Sequence, residues 1–316
     1  MVNFKHIESA HHRISSYIHN TPIFTCENIN TETSTNLFFK CDNFQKTGSF
    51  KIRGATNTIL QLSKTQLTNG VITTSSGNHG AAVSSTANRL GASVKVIMPD
   101  NTPKVKVDNV QRYGGEIIFC EPNIKARENV LKEMVQETGS TIVHPYNDER
   151  IIAGQGTACK ELLESIPDLD VIISPVSGGG LLAGTLLAAK SINPKIKVYG
   201  AEPKNADDTY RSIKSKKIVP NRTTNTIADG LRAQVGTITF PIIQKYVDGI
   251  ILVSEEMIIQ SMRIIWQKLK IVIEPSCSIV LAALLINNDQ FHNKKVGLIL
   301  TGGNVDLDTL LSLIHI

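Results

Sequence analysis

Short runs of β-branched and apolar residues recur along the chain, separated by longer stretches in which apolar positions return every three or four residues. The runs Leu37–Cys41, Val71–Thr74, Ser93–Pro99, Glu116–Cys120, Thr141–Val143, Val171–Val176, Lys197–Ala201, Ile250–Val253 and Val296–Thr301 predict strands. The periodic stretches Ala55–Leu62, His79–Leu90, Lys104–Tyr113, Ala126–Thr138, Gln155–Ser165, Leu181–Ser191 and Glu255–Lys268 predict helices. Such alternation is the mark of an α/β fold with mainly parallel sheets covered by helices. Two glycine-containing strand-to-helix turns, at Ser75–Gly80 and Ser177–Gly180, suggest two separate three-layer α/β units with a ligand cleft between them. By the strand pattern alone, a small domain spanning residues 70–147 is inserted into a larger one made of residues 1–69 and 148–316.

Composition narrows the function. The chain has 316 residues, enough for one large domain or two modest ones, and its net charge of +5 is spread along the sequence. Its densest basic stretch, Arg211 to Lys217, has no interleaved aromatics, so it reads as a solvated loop and not as a nucleic-acid surface. Lys5, Glu8, His11, His12 and Arg13 leave no apolar signal-peptide core near the start, so a cytoplasmic protein is expected. The longest apolar run, Ile279 to Ile286, falls well short of the roughly 20 residues a bilayer needs, and no membrane span is expected. Five cysteines without a Cys-x-x-Cys pair argue against a disulfide framework and a zinc site, and read as buried small apolar residues.

Four segments carry candidate chemistry. In Lys46-Thr47-Gly48-Ser49-Phe50-Lys51-Ile52-Arg53, Lys51 opens a helix between the basic residues Lys46 and Arg53. Neighbouring positive charge and desolvation both favour the neutral amine that condenses with an aldehyde, although an inert exposed lysine fits the same pattern. Ser75-Ser76-Gly77-Asn78-His79-Gly80 places free N–H groups and small donors at a helix start, which suits a substrate carboxylate or simply a capped helix. Ser177-Gly178-Gly179-Gly180-Leu181 suits a small phosphate monoester or a sharp turn. It lacks the spacing of a dinucleotide fingerprint and the Gly-Lys-Ser/Thr ending of a P-loop. Thr301, before Gly302-Gly303-Asn304, ends an apolar strand with a hydroxyl suited to a ring nitrogen, or begins an ordinary turn.

In this order and spacing the four segments resemble the serine racemase and serine/threonine dehydratase family of pyridoxal-phosphate enzymes of fold type II. The resemblance runs from about Ile18 to Leu307 and includes Ala153–Thr157, Ala201-Glu202-Pro203 and Thr226–Gly230. It implies that Lys51 holds the cofactor as a Schiff base and that Asn78 donates to the ring's 3-oxygen. Ser177, Gly178, Gly179, Gly180 and Leu181 would cradle the phosphate, and Thr301 would face the pyridine nitrogen where the family more often has Ser. Tyr146 would lie near the cofactor where relatives have Asn. Substrate would meet Ser75, Ser76, Asn78, His79 and Arg127.

The same resemblance implies two fates for an α-carbanion generated from a small hydroxy amino acid. Loss of the β-hydroxyl gives a 2-oxoacid and ammonia; reprotonation from the face opposite Lys51 gives the D-isomer. Ser76 matches the second acid of the family's racemases, where strictly biosynthetic threonine dehydratases have Ala, so racemisation of serine beside dehydration is expected. A dedicated ammonia-lyase for threonine, serine or threo-3-hydroxyaspartate is the alternative, with Arg127 suited to a side-chain carboxylate. Glu202, Asp208 and the carbonyl of Ala206 would bind Mg²⁺, Ca²⁺ or Mn²⁺. A homodimer is implied as well. The family's nucleotide-activation site is matched at Lys46, Thr47 and Tyr113 but not at Cys26, Glu27 and Ala81, so ATP activation is not carried over.

Overall fold

A computed structural model describes residues 1–75, 77–102 and 104–306. Among them ten strands form two sheets: β1 (Ile23–Phe24), β2 (Asn36–Cys41), β3 (Val71–Thr74), β4 (Val94–Pro99), β5 (Glu116–Cys120), β6 (Thr141–Ile142), β7 (Val171–Pro175), β8 (Lys197–Pro203), β9 (Gly249–Val253) and β10 (Lys295–Leu300). The larger sheet has the order β1-β2-β10-β7-β8-β9, the smaller β5-β4-β3-β6. Every ladder is parallel except β1–β2, where Ile23 pairs with Lys40. The fold is therefore the α/β architecture the sequence predicts. All four strands of the smaller sheet fall between residues 71 and 142.

Alternation along the strands makes the three layers. Val171 and Ile173 join the core packed under the helices Glu255–Ile264 and Pro275–Ile286, whereas Ile172 joins the one under Phe4–Ile14, Glu149–Ser165 and Gly180–Ile192. Leu298 and Leu300 divide from Ile299 in the same way. In the smaller sheet Val71 and Val96 face the helices Lys51–Ile59 and Asn78–Arg89, while Ile72 and Ile97 face Ile124–Thr138. The helix that begins at Lys51 thus packs on the smaller sheet. It also lies directly on Glu149–Ser165: a Cβ at Gly154 would come within 2.6 Å of the Gly54 Cα, so the close crossing needs glycine at both positions.

Two expectations are corrected. The stretch 211–217, read as a loop, includes the second half of the helix Asp208–Ser215, in which Arg211 Nε donates to Asp207 Oδ1 at 2.7 Å. Its basic side chains are still at the surface, but i,i+4 pairing supports a helix there. Of the five cysteines, four are buried and Cys26 is partly exposed.

Candidate active site

Lys51 is the first residue of its helix, and its Nζ donates to the Pro145 carbonyl at 2.9 Å. Burial lowers its pKa from 10.5 to about 8, with Glu274 acting in the opposite direction. At pH 7 about a tenth of such an amine is uncharged, against roughly 0.03% at 10.5. The expected help from Arg53 is absent. Arg53 points away into the protein and is fully paired with Asp42 and Glu161, so desolvation alone frees the amine.

The turn after β3 converges on the same point. Ser75 Oγ accepts from Gly77 N at 3.2 Å and Gly80 N at 2.9 Å, which turns its hydroxyl toward its own loop. Ser76 lies outside the described residues. Asn78 begins the helix Asn78–Arg89, with its amide donating to both carboxylate oxygens of Glu274 at 3.0 Å. His79 is buried, and its Nε2 lies 3.0 Å from the Val143 carbonyl, which requires the Nε2–H tautomer. Burial, then Lys51, push its pKa down to about 3, so it is neutral. His144 is lowered by the same two causes, and its Nδ1 accepts from the backbone N–H of Tyr146 and Asn147.

Across from Lys51 lies the glycine turn between β7 and the helix Gly180–Ile192. The segment around residue 235 clamps it: Ser177 Oγ donates to Ala233 O at 3.0 Å and accepts from Ala233 N at 2.9 Å, and Gly178 O accepts from Thr239 Oγ1 at 2.7 Å. A Cβ at Gly178 would sit 2.3 Å from Tyr146 Cγ, so the aromatic ring lies flat against the turn. No side chain caps the helix, leaving its first N–H groups to an anion. This uncapped helix start beside a buried lysine of lowered pKa fits a phosphorylated aldehyde such as pyridoxal phosphate. Leu181 is buried behind it, and burial raises the Tyr146 phenol, keeping it protonated. Thr301 closes the site: its carbonyl accepts from Phe50 N at 2.9 Å, tying the end of β10 to Lys51.

Arg127, on Ile124–Thr138, is half-buried with an Nε that has no hydrogen-bond partner, and its charge reaches Tyr146. Glu202 and Asp208 form a second cluster. Glu202 accepts from Thr209 N at 2.9 Å and Tyr210 N at 2.8 Å, and Asp208 Oδ2 accepts from Val235 N at 2.7 Å. Burial, then Asp208, push Glu202 up to about 8, and burial takes Asp208 up to about 6. Two buried carboxylates, Asp208 raising Glu202, beside the buried Ala206 fit a hard divalent cation. Among the described residues no group of three or more acidic, His or Cys side chains could hold a metal ion. Glu274, His144 and Lys106 are the members that the sequence motifs pass over; Lys106 pairs with Asp229, which lies in the Thr226–Gly230 motif.

These features define a pyridoxal-phosphate site, and the chain belongs to the pyridoxal-phosphate dependent enzymes, whose family model matches residues 14–302. Within that family it is of the racemase and ammonia-lyase type. It is 48% identical to the serine racemase of Arabidopsis thaliana over 96% of this chain and 93% of that one. It is 45% identical to the beta-hydroxyaspartate dehydratase of Paracoccus denitrificans, covering 96% of each. The structure of maize serine racemase superposes with a TM-score of 0.96 at 45% identity, over 99% of this chain and 97% of that one. No helix among the described residues is long and apolar enough to cross a membrane.

Proposed function

We propose that this enzyme racemises serine and also eliminates water from L-serine, L-threonine and D-serine, giving 2-oxoacid and ammonia. The observation that carries the reading is the Lys51 amine, buried and with its pKa lowered to about 8, between the turn after β3 and the glycine cradle. When bound, pyridoxal phosphate supplies an electron sink for the α-carbon of the amino acid. The Ser177–Leu181 turn would hold its phosphate, Asn78 would donate to its ring oxygen, Thr301 would face its ring nitrogen and Tyr146 would pack beside it. Lys51 Nζ would hold the cofactor, and its amine would serve as the base that takes the substrate's α-proton. Ser76 serves as the acid on the opposite face, an assignment that rests on its place in the sequence. Substrate carboxylate is bound by the N–H groups around Ser75, Asn78 and His79.

A reading as a hydroxyaspartate ammonia-lyase is favoured by Arg127, whose unpartnered, half-buried guanidinium suits a second carboxylate. Mg²⁺, Ca²⁺ or Mn²⁺ binds Glu202, Ala206 O and Asp208 and fixes the helix that follows. Residues 70–147 act as a unit that closes over the larger one, with Lys106 and Asp229 pairing as it does so. The protein works in the cytoplasm as a homodimer, supported by the exposed edge-to-face pair Phe24 and Phe44 beside the exposed Val272.

The test is to incubate protein, cofactor and Mg²⁺ with L-serine and measure D-serine and pyruvate together, with Lys51→Ala as blank. Both products are expected, and Ser76→Ala should lose D-serine formation. Pyruvate alone from the unmodified enzyme would make it a dehydratase, and racemisation that survives Ser76→Ala would remove Ser76 from its role.

A further inference from the structure

Asn78 is held by a chain of hydrogen bonds whose direction is fixed. It starts at a backbone carbonyl: Asn304 Nδ2 donates to Thr47 O at 2.7 Å, so that atom must be the amide nitrogen. The same nitrogen donates to Asn78 Oδ1 at 2.9 Å, which makes the facing atom of Asn78 its oxygen. The Asn78 nitrogen therefore turns to Glu274, lying 3.0 Å from each carboxylate oxygen. One of its two hydrogens goes to Glu274, and one is left to point elsewhere. Gly302 gives Glu274 room in this position: a Cβ there would come within 2.5 Å of Glu274 Oε1 and displace the carboxylate. Glu274 N also donates to Gly302 O at 3.0 Å, which locks the carboxylate's own backbone to the end of β10.

We propose that Glu274 is a positioning residue for the reaction: by accepting one N–H of Asn78 it aims the other at the ring oxygen of the bound cofactor. The inference rests on Asn78 being the ring-oxygen donor. Charged and titratable groups face Glu274 from several elements: Asp229 from the loop after the helix Asp208–Ser215, Lys106 from Lys104–Arg112, Lys51 from its own helix, and Cys277 along Pro275–Ile286. Burial, then Asp229, push the Glu274 carboxyl up to about 8, with the Asn78 hydrogen bond, Lys106 and Lys51 opposing. Its charge thus changes near neutral pH. An anionic Glu274 accepts strongly from Asn78; a neutral one accepts weakly.

The readout is the visible absorption of the cofactor-loaded protein, recorded from pH 6 to 9, together with cofactor affinity. Glu274→Gln keeps an acceptor of the same shape without a charge, so it should retain the band while flattening its pH dependence within roughly a unit of 8. Glu274→Ala and Asn304→Ala should each shift the band and weaken cofactor binding roughly tenfold, the loss of one oriented hydrogen bond to a charged group. Because both act through Asn78, the double variant should lose much less than the product of the two. An unchanged band, pH profile and affinity in Glu274→Gln and in whichever alanine variants melt normally would overturn the inference. If the unmodified protein itself showed no band that Lys51→Ala abolishes, the underlying cofactor reading would fail instead.

Discussion

Replacing Arg53 by Met should destabilise the protein by about 3–5 kcal/mol at pH 8, the cost of breaking a buried ion pair from one side. Arg53 is fully buried, two residues beyond Lys51, and its guanidinium is consumed by its partners: Asp42 at 2.6 and 2.8 Å, Glu161 at 2.7 and 2.8 Å, and Thr157 at 3.1 Å. Lys40, also buried, pairs with Glu161 at 2.7 Å, so two cations balance two carboxylates out of reach of water. Methionine fills similar volume but leaves one negative charge uncompensated. At roughly 2 °C per kcal/mol, the melting temperature should fall by about 6–10 °C.

The penalty should also depend on pH. Burial by itself would raise the Asp42 carboxyl; Arg53, by its charge and then its hydrogen bonds, holds it below the ordinary value. In the unmodified protein Asp42 therefore stabilises the fold above its unfolded pKa, and this is lost only as the pH falls through the lower folded value. Without Arg53, burial prevails and the folded pKa moves above the unfolded one. The buried charge then destabilises at neutral pH, and acid relieves it by protonation. The gap between the two proteins in denaturant titrations should narrow by at least about 1 kcal/mol between pH 8 and pH 5. A loss under about 1 kcal/mol, or a gap that is constant with pH, would refute this account of the cluster.

Three other outcomes are expected. Lys51→Ala should melt within about 1 kcal/mol of the parent, since it removes one hydrogen bond, yet bind no cofactor covalently; in the parent the attachment rate should climb as pH passes about 8, and a rate flat from pH 6 to 9 would contradict the lowered amine. Gly178→Ala should cost cofactor affinity at least ~100-fold in a spectral titration, because its methyl meets the Tyr146 ring; Tyr146→Ala in the same chain should restore part of it, and no recovery would mean the steric account is wrong. Mg²⁺ at about 100 times its dissociation constant should stabilise by about 2.7 kcal/mol in a thermal shift, and Asp208→Asn should abolish the shift; a chelator without effect on the purified protein, followed by no response to added Mg²⁺, would dispose of the site.

Much of the fold was legible because strands such as β3, β7 and β10 are short β-branched or apolar runs of strand length, separated by longer periodic stretches. The helix Pro275–Ile286 was not, because nearly every position in it is buried and it has no polar face to set a period. The start of Glu149–Ser165 was missed for a different reason. Its first turn joins Glu149 and Arg150 to two consecutive buried isoleucines and then Gly154, which blurs the period, and Asp148 marks it only through its cap on Arg150 N. In the site, Lys51 and the two glycine turns stand out by type and order. Arg53 was misjudged: its motif suggested a charge beside the amine, whereas its partner Glu161 lies 108 residues further on and draws it into the core.

Glu274 shows the other boundary of sequence reading. It follows no motif glycine, and its partner Asn78 is 196 residues away. The groups that pin the site are in large part main-chain atoms: Pro145 O holds Lys51, Val143 O holds His79, Thr47 O orients Asn304, Ala233 N and O hold Ser177, and Val235 N holds Asp208. A carbonyl or N–H is present at every such position whatever the side chain, so these partners leave no mark in the residue types. The reacting groups are therefore readable from the sequence while the geometry that aims them is not. Substitutions at residues 143, 145, 233 and 235 should disturb the site only where they move the backbone or remove its N–H, as proline does at 233 and 235.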